Sequence, residues 1–377
     1  MTKPGEPRVE FANTLRGVAA LSVLAEHYCS FFTGSRSVIA SLINAPVMPD
    51  SIRLEPDYMF WAYSIPHLIW GSLGVSLFFI ISGFVIPFSL KNSTPGAFLF
   101  GRFFRIYPLY AAGFTITLAS IGLTSLFFGR PWPFALGQVA QNYVPGSREF
   151  LRFASIDGIV WTLEIEIKFY LICALIAPWL RRGSLKVFFV PVAIVIIDHL
   201  LNLHLPGYSH TVSATGSPYL AFMFIGTAFH YMHIKALRTD LGLVIISTLF
   251  LAFCLSIAYG PNPAFVTIFW SFGFAILLFG FAFRFPRLFG KSTIGEFFAD
   301  ISYPLYVIHG ISGYALMRIL VEFKVPAWLA LPITVAVIFT VARVLNRTVE
   351  KWGRLEGKRL YASLSPKPKP EAARGHR

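Results

Sequence analysis

Charge is scarce in this chain. Asp, Glu, Lys and Arg make up only 13% of its 377 residues, against about 25% in a soluble domain. With 55% hydrophobic residues and a mean hydropathy of +0.64, that shortage excludes an ordinary soluble enzyme. Cysteine is scarcer still, limited to Cys29, Cys173 and Cys254. An odd count without close spacing gives neither a disulfide framework nor a zinc pattern. No metal site is expected, and the thiols read as buried and inert. A cleavable signal peptide is also missing, because Glu26 and His27 interrupt its apolar stretch and no small-residue cleavage site follows. No strong internal repeat and no soluble basic domain stand out. The net charge of +14 therefore implies no nucleic-acid partner.

What is plentiful is apolar sequence in runs long enough to cross a bilayer, about 20 residues each. The expected fold is all-α and polytopic. About ten spans fall near 12–32, 67–90, 106–128, 159–180, 185–203, 218–235, 240–258, 264–283, 297–320 and 328–345. With the N-terminus inside, 24 of the 32 lysines and arginines lie in internal segments and seven in outer ones, Lys168 lying within a span. That asymmetry predicts both termini in the cytoplasm. It makes the positive charge mainly a signal of topology. Residues 1–352 form the expected membrane domain and residues 353–377 a basic tail, read as disordered and able to touch anionic lipid heads. The outer segments near 33–66 and 129–158, with Trp61 and Trp132, are long enough to cover the outer mouth. The tryptophans read equally as an interfacial belt.

Polar groups inside spans are costly, so they face a protein interior or a wet cavity. Arg16 and His27 stand eleven residues apart in an apolar run, which is close to three helical turns and roughly 16 Å along one face. Anion binding near Arg16 and proton chemistry near His27 follow as expectations. Arg102 and Arg105, in Gly101-Arg102-Phe103-Phe104-Arg105-Ile106-Tyr107-Pro108, share a helical face and suit a phosphate clamp. Ordinary positive-inside flanking explains them equally. Trp161 to Tyr170 carries Glu164 and Lys168 as an i,i+4 pair and Glu166 with no local partner. Glu166 is expected at the depth of His27, where a carboxylate would orient the ring and stabilise its cation. Tyr303, Tyr306 and His309 recur every third residue and lean to one side of a helix that Pro304 opens.

These blocks occur in an order that resembles the acyltransferase family 3 proteins. Leu15-Arg16-Gly17-Val18-Ala19-Ala20 leads to His27, followed by Gly74 to Phe84 and then by Arg102-Phe103-Phe104-Arg105 with Tyr107-Pro108. The Trp161–Tyr170 and Ser302–His309 blocks complete the series. The resemblance covers about residues 11 to 310. Thr162 and Glu164 stand where the family often has Ser, and Ile167 where it often has an acid.

The resemblance implies an integral-membrane enzyme of the inner (plasma) membrane that acylates hydroxyls of surface carbohydrates or glycolipids. Acyl-CoA would serve as co-substrate and no cofactor would be permanently bound. Arg16, Arg102 and Arg105 would hold the donor phosphates. His27 would act as general base, Glu166 would orient it, and His309, Tyr303 or Tyr306 would bind the acceptor or the developing oxyanion. A covalent acyl-His intermediate is left open, as is a thioesterase-like enzyme. The competing class is a transporter that uses the same His, Glu and Arg groups as a relay.

Overall fold

The computed structural model describes residues 9–364 apart from 53, 92, 147–152, 206–211 and 261–262. Among the described residues there are helices and no strands. That is what a bilayer requires of a chain whose backbone groups must pair within their own segment. The principal helices are α1 (Glu10–Ala25), α2 (Trp70–Lys91), α3 (Pro95–Phe127), α4 (Val160–Leu175), α5 (Phe189–His204) and α6 (Val212–His233). They continue with α7 (Thr239–Ala258), α8 (Phe269–Arg284), α9 (Thr293–Glu322), α10 (Ala327–Leu345) and α11 (Lys351–Leu364).

Seven stretches among the described residues are long and apolar enough to cross a membrane. They contain α2, α3, α5, α7, α8, α9, and α10 with most of α11. The expected number was about ten. The difference falls on α1, α4 and α6. As regular helices α1 and α4 have only 16 residues each, and α6 carries Ser217, His230 and His233 among its apolar residues. After Ala25, α1 widens into a π-helix over Glu26–Phe31 and closes with a short helix, Phe32–Gly34.

Local signals set several helix starts. Thr94 caps α3, its hydroxyl accepting from the Ala97 N–H at 3.2 Å, with Pro95 at the first position. Ser292 caps α9 in the same way through the Gly295 N–H, at 2.9 Å. Each cap satisfies a donor that the helix itself leaves free. Pro108 and Pro304 sit inside continuous helices.

The centre of the bundle is α2. It packs on α6, α1 and α8, while α9 packs on α1, α3 and α10. The α2–α6 crossing is backbone on backbone. A side chain at Gly83 would run into the Met223 carbonyl, and one at Gly226 into the Ile80 carbonyl. Small residues at such crossings let helices approach where lipid gives no hydrophobic drive. Phe222, Phe224, Phe253, Phe272 and Phe279 fill the space behind the crossing and are fully buried. Phe189, Leu251, Trp270 and Leu277 point outward, as they would toward lipid.

The C-terminal segment departs from its expected disorder up to residue 364. Gly353 and Gly357, four residues apart, let α11 lie against Phe104 of α3, with no room for a Cβ between them. Residues 365–377 of the expected tail lie outside the described residues. At the opposite end of the bundle, residues of the 33–66 segment pack over α3 and α10. Asn44 donates to Ser125 Oγ at 2.8 Å, and Tyr58 donates to the Trp328 carbonyl at 3.0 Å.

Candidate active site

Three cavities run in series through the bundle and share walls. The first, about 500 Å³, opens at the end of the bundle that bears the start of α1. Arg16, Arg105, Lys291, Glu296, Glu350 and Arg354 are among its walls. The second, about 110 Å³, shares Arg16, Arg105, Ser302 and Tyr303 with the first, and adds Arg102, Glu166, Tyr170 and Tyr306. The third, about 240 Å³, holds Glu26 and His27 and shares Val75, Ile159 and Tyr306 with the second. The three cavities are therefore neighbours in a row from the arginine end to His27, with Val75, Ile159 and Tyr306 between the second and the third.

The three arginines of this end come from two helices. Arg16 projects from α1, and Arg102 and Arg105 project from α3. Arg102 donates to Ser89 Oγ at 2.6 Å and lies over the rings of Phe98 and Tyr170, at 5.2 and 5.3 Å from their centroids. Arg16 and Arg105 form no ion pair among the described residues. They act on one another electrostatically, and Glu166 and Glu350 act on Arg16 from further away. The other charges of this end largely neutralise one another: Lys291–Glu296 at 3.2 Å, Arg343–Asp300 at 3.7 Å and Arg354–Glu350 at 3.8 Å. Two arginines facing one cavity without a carboxylate in bonding range can take an anion through paired donors.

Glu166 belongs to this end, which corrects the expectation that it orients His27. Its Oε1 accepts from Ser82 Oγ at 3.0 Å and from the Tyr170 hydroxyl. Tyr170, one turn further along α4, is the i,i+4 partner that the sequence did not suggest, and with Ser82 of α2 it holds the carboxylate in the cavity of the arginines and not in that of His27.

At the other end, His27 lies in the π-helical turn. Its Nδ1 is in hydrogen-bond contact with the Tyr314 hydroxyl, and the two rings stack at 5.9 Å with 24° between their planes. His309 stands against His27 at 4.6 Å, edge to face. His309 Nδ1 is 2.8 Å from the Tyr306 carbonyl and 3.1 Å from the Leu305 carbonyl. Carbonyls only accept, so Nδ1 carries the proton and Nε2 keeps a lone pair, buried and without a partner. That assignment does not suit neutral His309 as an oxyanion donor. At 1% exposure it packs behind His27.

The ladder on α9 comes together as its spacing suggests. Tyr303 donates to the Ile106 carbonyl at 3.2 Å, and Tyr306 pairs with Thr162 Oγ1 at 2.6 Å. Tyr306 lies between the second and the third cavity and lines both.

Tyr314 and Tyr28 are the residues that sequence reasoning missed. Tyr28 donates to the His309 carbonyl at 2.7 Å, and its hydroxyl occupies the space that a side chain at Gly313 would need. Tyr314 is five residues past His309, which is not a same-face spacing in a helix, and only the glycine at 313 hinted at a close approach. Glu350 was missed as well. It is buried in a second π-turn, Asn346–Glu350, and accepts from Asn346 at 2.9 Å.

A family described as "Acyltransferase domain" matches residues 9–347. Nodulation protein 10 of Rhizobium leguminosarum bv. viciae is 24% identical over 170 residues, 40% of this chain and 46% of that protein. Acyltransferase MdmB of Streptomyces mycarofaciens is 32% identical over 107 residues, 27% of either chain. The matched part thus spans less than half the length of either relative. No solved structure matches. With its family match running almost end to end, the chain belongs to the acyltransferase family 3 proteins.

Proposed function

We propose that the protein takes a short acyl group, such as acetyl, from cytoplasmic acyl-CoA and places it on a hydroxyl of a surface polysaccharide or lipid-linked sugar. On this reading the arginine end faces the cytoplasm, both termini are cytoplasmic and the membrane is the inner (plasma) membrane. The observation that carries the proposal is the row of cavities joining Arg16 and Arg105 to His27. The phosphates of the donor dock at the arginines. The pantetheine arm passes Tyr306, and the thioester reaches His27, roughly 16 Å from Arg16 along the helix.

The acceptor hydroxyl approaches from the cavity at Glu26. His27 takes its proton at Nε2 while Nδ1–H bonds to Tyr314. The acceptor oxygen bonds to the thioester carbon, the C–S bond breaks, and the proton passes from His27 to the departing thiolate. Tyr306, which lines both the second and the third cavity, is the donor for the oxyanion.

Reconstituted protein should release free coenzyme A thiol from acetyl-CoA when an acceptor is present. His27→Ala should lower that rate by about 10²–10⁴ and leave coenzyme A binding intact. Equal turnover in the two proteins would remove His27 from the reaction. Failure of the wild type to bind coenzyme A would favour the transporter reading.

A further inference from the structure

Glu26 is absorbed by no step above, yet it shares a cavity with the proposed base. Its position is fixed. The carboxylate accepts from the backbone N–H groups of Trp70 and Gly71 at the start of α2. Its Cγ lies so close over Gly71 that a Cβ there would come within 2.9 Å of it. The preceding N–H, of Ile69, is taken by Ser271 Oγ at 2.8 Å. A carboxylate offers about four lone-pair sites, so two backbone donors leave about half its accepting capacity for a ligand.

The rest of the cavity matches that capacity. Opposite Glu26 and His27 stand Trp161, Tyr219 and Phe272, with centroids 5.2 Å apart for Trp161–Tyr219 and 5.8 Å for Tyr219–Phe272. Among the described residues, Glu26 is the only carboxylate of the lining, and no lysine or arginine joins it. At about 240 Å³ the space equals that of about eight waters at ~30 Å³ each, the scale of a single sugar ring. Aromatic faces take the apolar face of such a ring, and they attract a cation. A half-buried carboxylate accepts from hydroxyl or ammonium groups and repels another carboxylate.

We propose that the cavity beside His27 is the acceptor subsite for one neutral or cationic sugar ring, and that Glu26 is its specificity residue. Glu26 accepts from the group next to the hydroxyl that His27 deprotonates, and it excludes acidic rings. This rests on the acyl-transfer reading above.

The test uses full-length protein in lipid nanodiscs with methyl glucoside, methyl glucosaminide and methyl glucuronide. Ring binding is read by ligand-observed NMR, and transfer by thiol release from acetyl-CoA. Wild type should prefer both non-acidic rings to the glucuronide by at least about 30-fold in affinity. Glu26→Gln should weaken the non-acidic rings by about tenfold and bring the three within a few-fold of one another, with coenzyme A binding unchanged. Glu26→Asp keeps the charge and should restore the order of preference, which separates recognition from capping of α2. Wild-type binding of the glucuronide as tight as that of the glucosaminide would overturn the proposal. So would a Glu26→Gln protein that loses all three rings equally or keeps the wild-type ratio. Ring discrimination without any thiol release would instead refute acyl transfer and leave the subsite standing.

Discussion

Tyr314→Phe removes one oxygen and little else. The Tyr314 ring is 2% exposed and stacks on Phe32 at 6.1 Å as well as on His27, and a phenylalanine ring keeps both contacts. What disappears is the hydroxyl at His27 Nδ1. In the resting enzyme that bond links two neutral groups. As His27 takes the acceptor's proton it becomes a cation, and the bond becomes charge-assisted, worth about 1.5–3 kcal/mol. Little of this is offset in the ground state, so the loss falls on the transition state. The rate should drop by about 10- to 150-fold, from about 1.4 kcal/mol per factor of ten. That is a smaller loss than removing the imidazole itself. The assay is thiol release from acetyl-CoA in nanodiscs, with coenzyme A affinity measured separately and expected to be unchanged. Tyr28→Phe is the control. It deletes an equally buried hydroxyl that bonds to the His309 backbone and not to the His27 ring, and should cost the rate only a few-fold. A Tyr314→Phe protein as fast as wild type would show that Nδ1 needs no partner, and the assignment of Nε2 as the base would lose its support.

Other outcomes follow from the same structure. Arg16→Ala and Arg105→Ala should each weaken coenzyme A binding by about 10- to 150-fold, from about 1.5–3 kcal/mol per charge-assisted contact; titration of either variant at wild-type affinity would remove the phosphate site. Gly83→Leu forces a side chain into the Met223 carbonyl and should abolish folded, detergent-stable protein, well beyond the ~1–3 kcal/mol of ordinary overpacking; wild-type yield and melting behaviour would contradict the α2–α6 crossing. Burial pushes the Asp157 carboxyl from 3.8 up to about 6. Between those values the folded chain holds a proton that the unfolded chain gives up, so stability should fall as pH rises through the window and level off above it. At about 1.4 kcal/mol per pH unit the fall is on the order of 3 kcal/mol. Thermal unfolding of wild type and Asp157→Asn at pH 4 and 7.5 checks this, since the variant should lack that fall. A reporter fused after residue 377 should read cytoplasmic and one inserted near 145 should read outside; the opposite pattern would put the arginines on the wrong face for a cytoplasmic donor.

Much of the site was legible because membrane spans make polar residues conspicuous. Arg16, His27, Glu166 and the Tyr303–Tyr306–His309 ladder stand out against apolar neighbours, and all but His309 line the three cavities. Spacing along one helix gave the common side of Tyr303 and Tyr306. It did not give contacts between helices. Glu166 was matched to His27 by an estimate of depth, whereas Tyr170, one turn on, and Ser82 of α2 hold it in the cavity of the arginines. Tyr314 stayed hidden because tyrosine near a span end reads as interfacial, and because its approach to His27 depends on the π-turn at Glu26–Phe31, which shifts the register of α1. The helix at Lys351–Leu364 was obscured by its charge. Its docking rests on Gly353 and Gly357, residues that ordinarily weaken a helix.

The placement of Glu166 also explains why three arginines converge inside a membrane protein. An uncompensated buried cation is costly, and three within reach of one another more so. Arg102 is settled by Ser89 and two aromatic faces. Glu166, held by Ser82 and Tyr170, supplies negative charge to the group as a whole without reaching bonding distance of Arg16 or Arg105. One carboxylate against three arginines therefore balances the charge only in part and leaves the arginine cavity open to an anion. A phosphate placed there adds to the balance, and the same event points a thin arm at Val75, Ile159 and Tyr306. A carboxylate beside His27 would have served the base but left the arginines uncompensated. With Glu166 spent on the donor end, the imidazole relies on a neutral hydroxyl, Tyr314, and among the described residues the only carboxylate lining its cavity is Glu26, which is bound to the start of α2. Donor binding and proton transfer are thereby carried by separate groups at separate depths, so Glu166→Gln should weaken coenzyme A binding more than it slows transfer at saturating donor. A Glu166→Gln protein that binds coenzyme A normally yet loses transfer as severely as His27→Ala would return Glu166 to the base and refute this division.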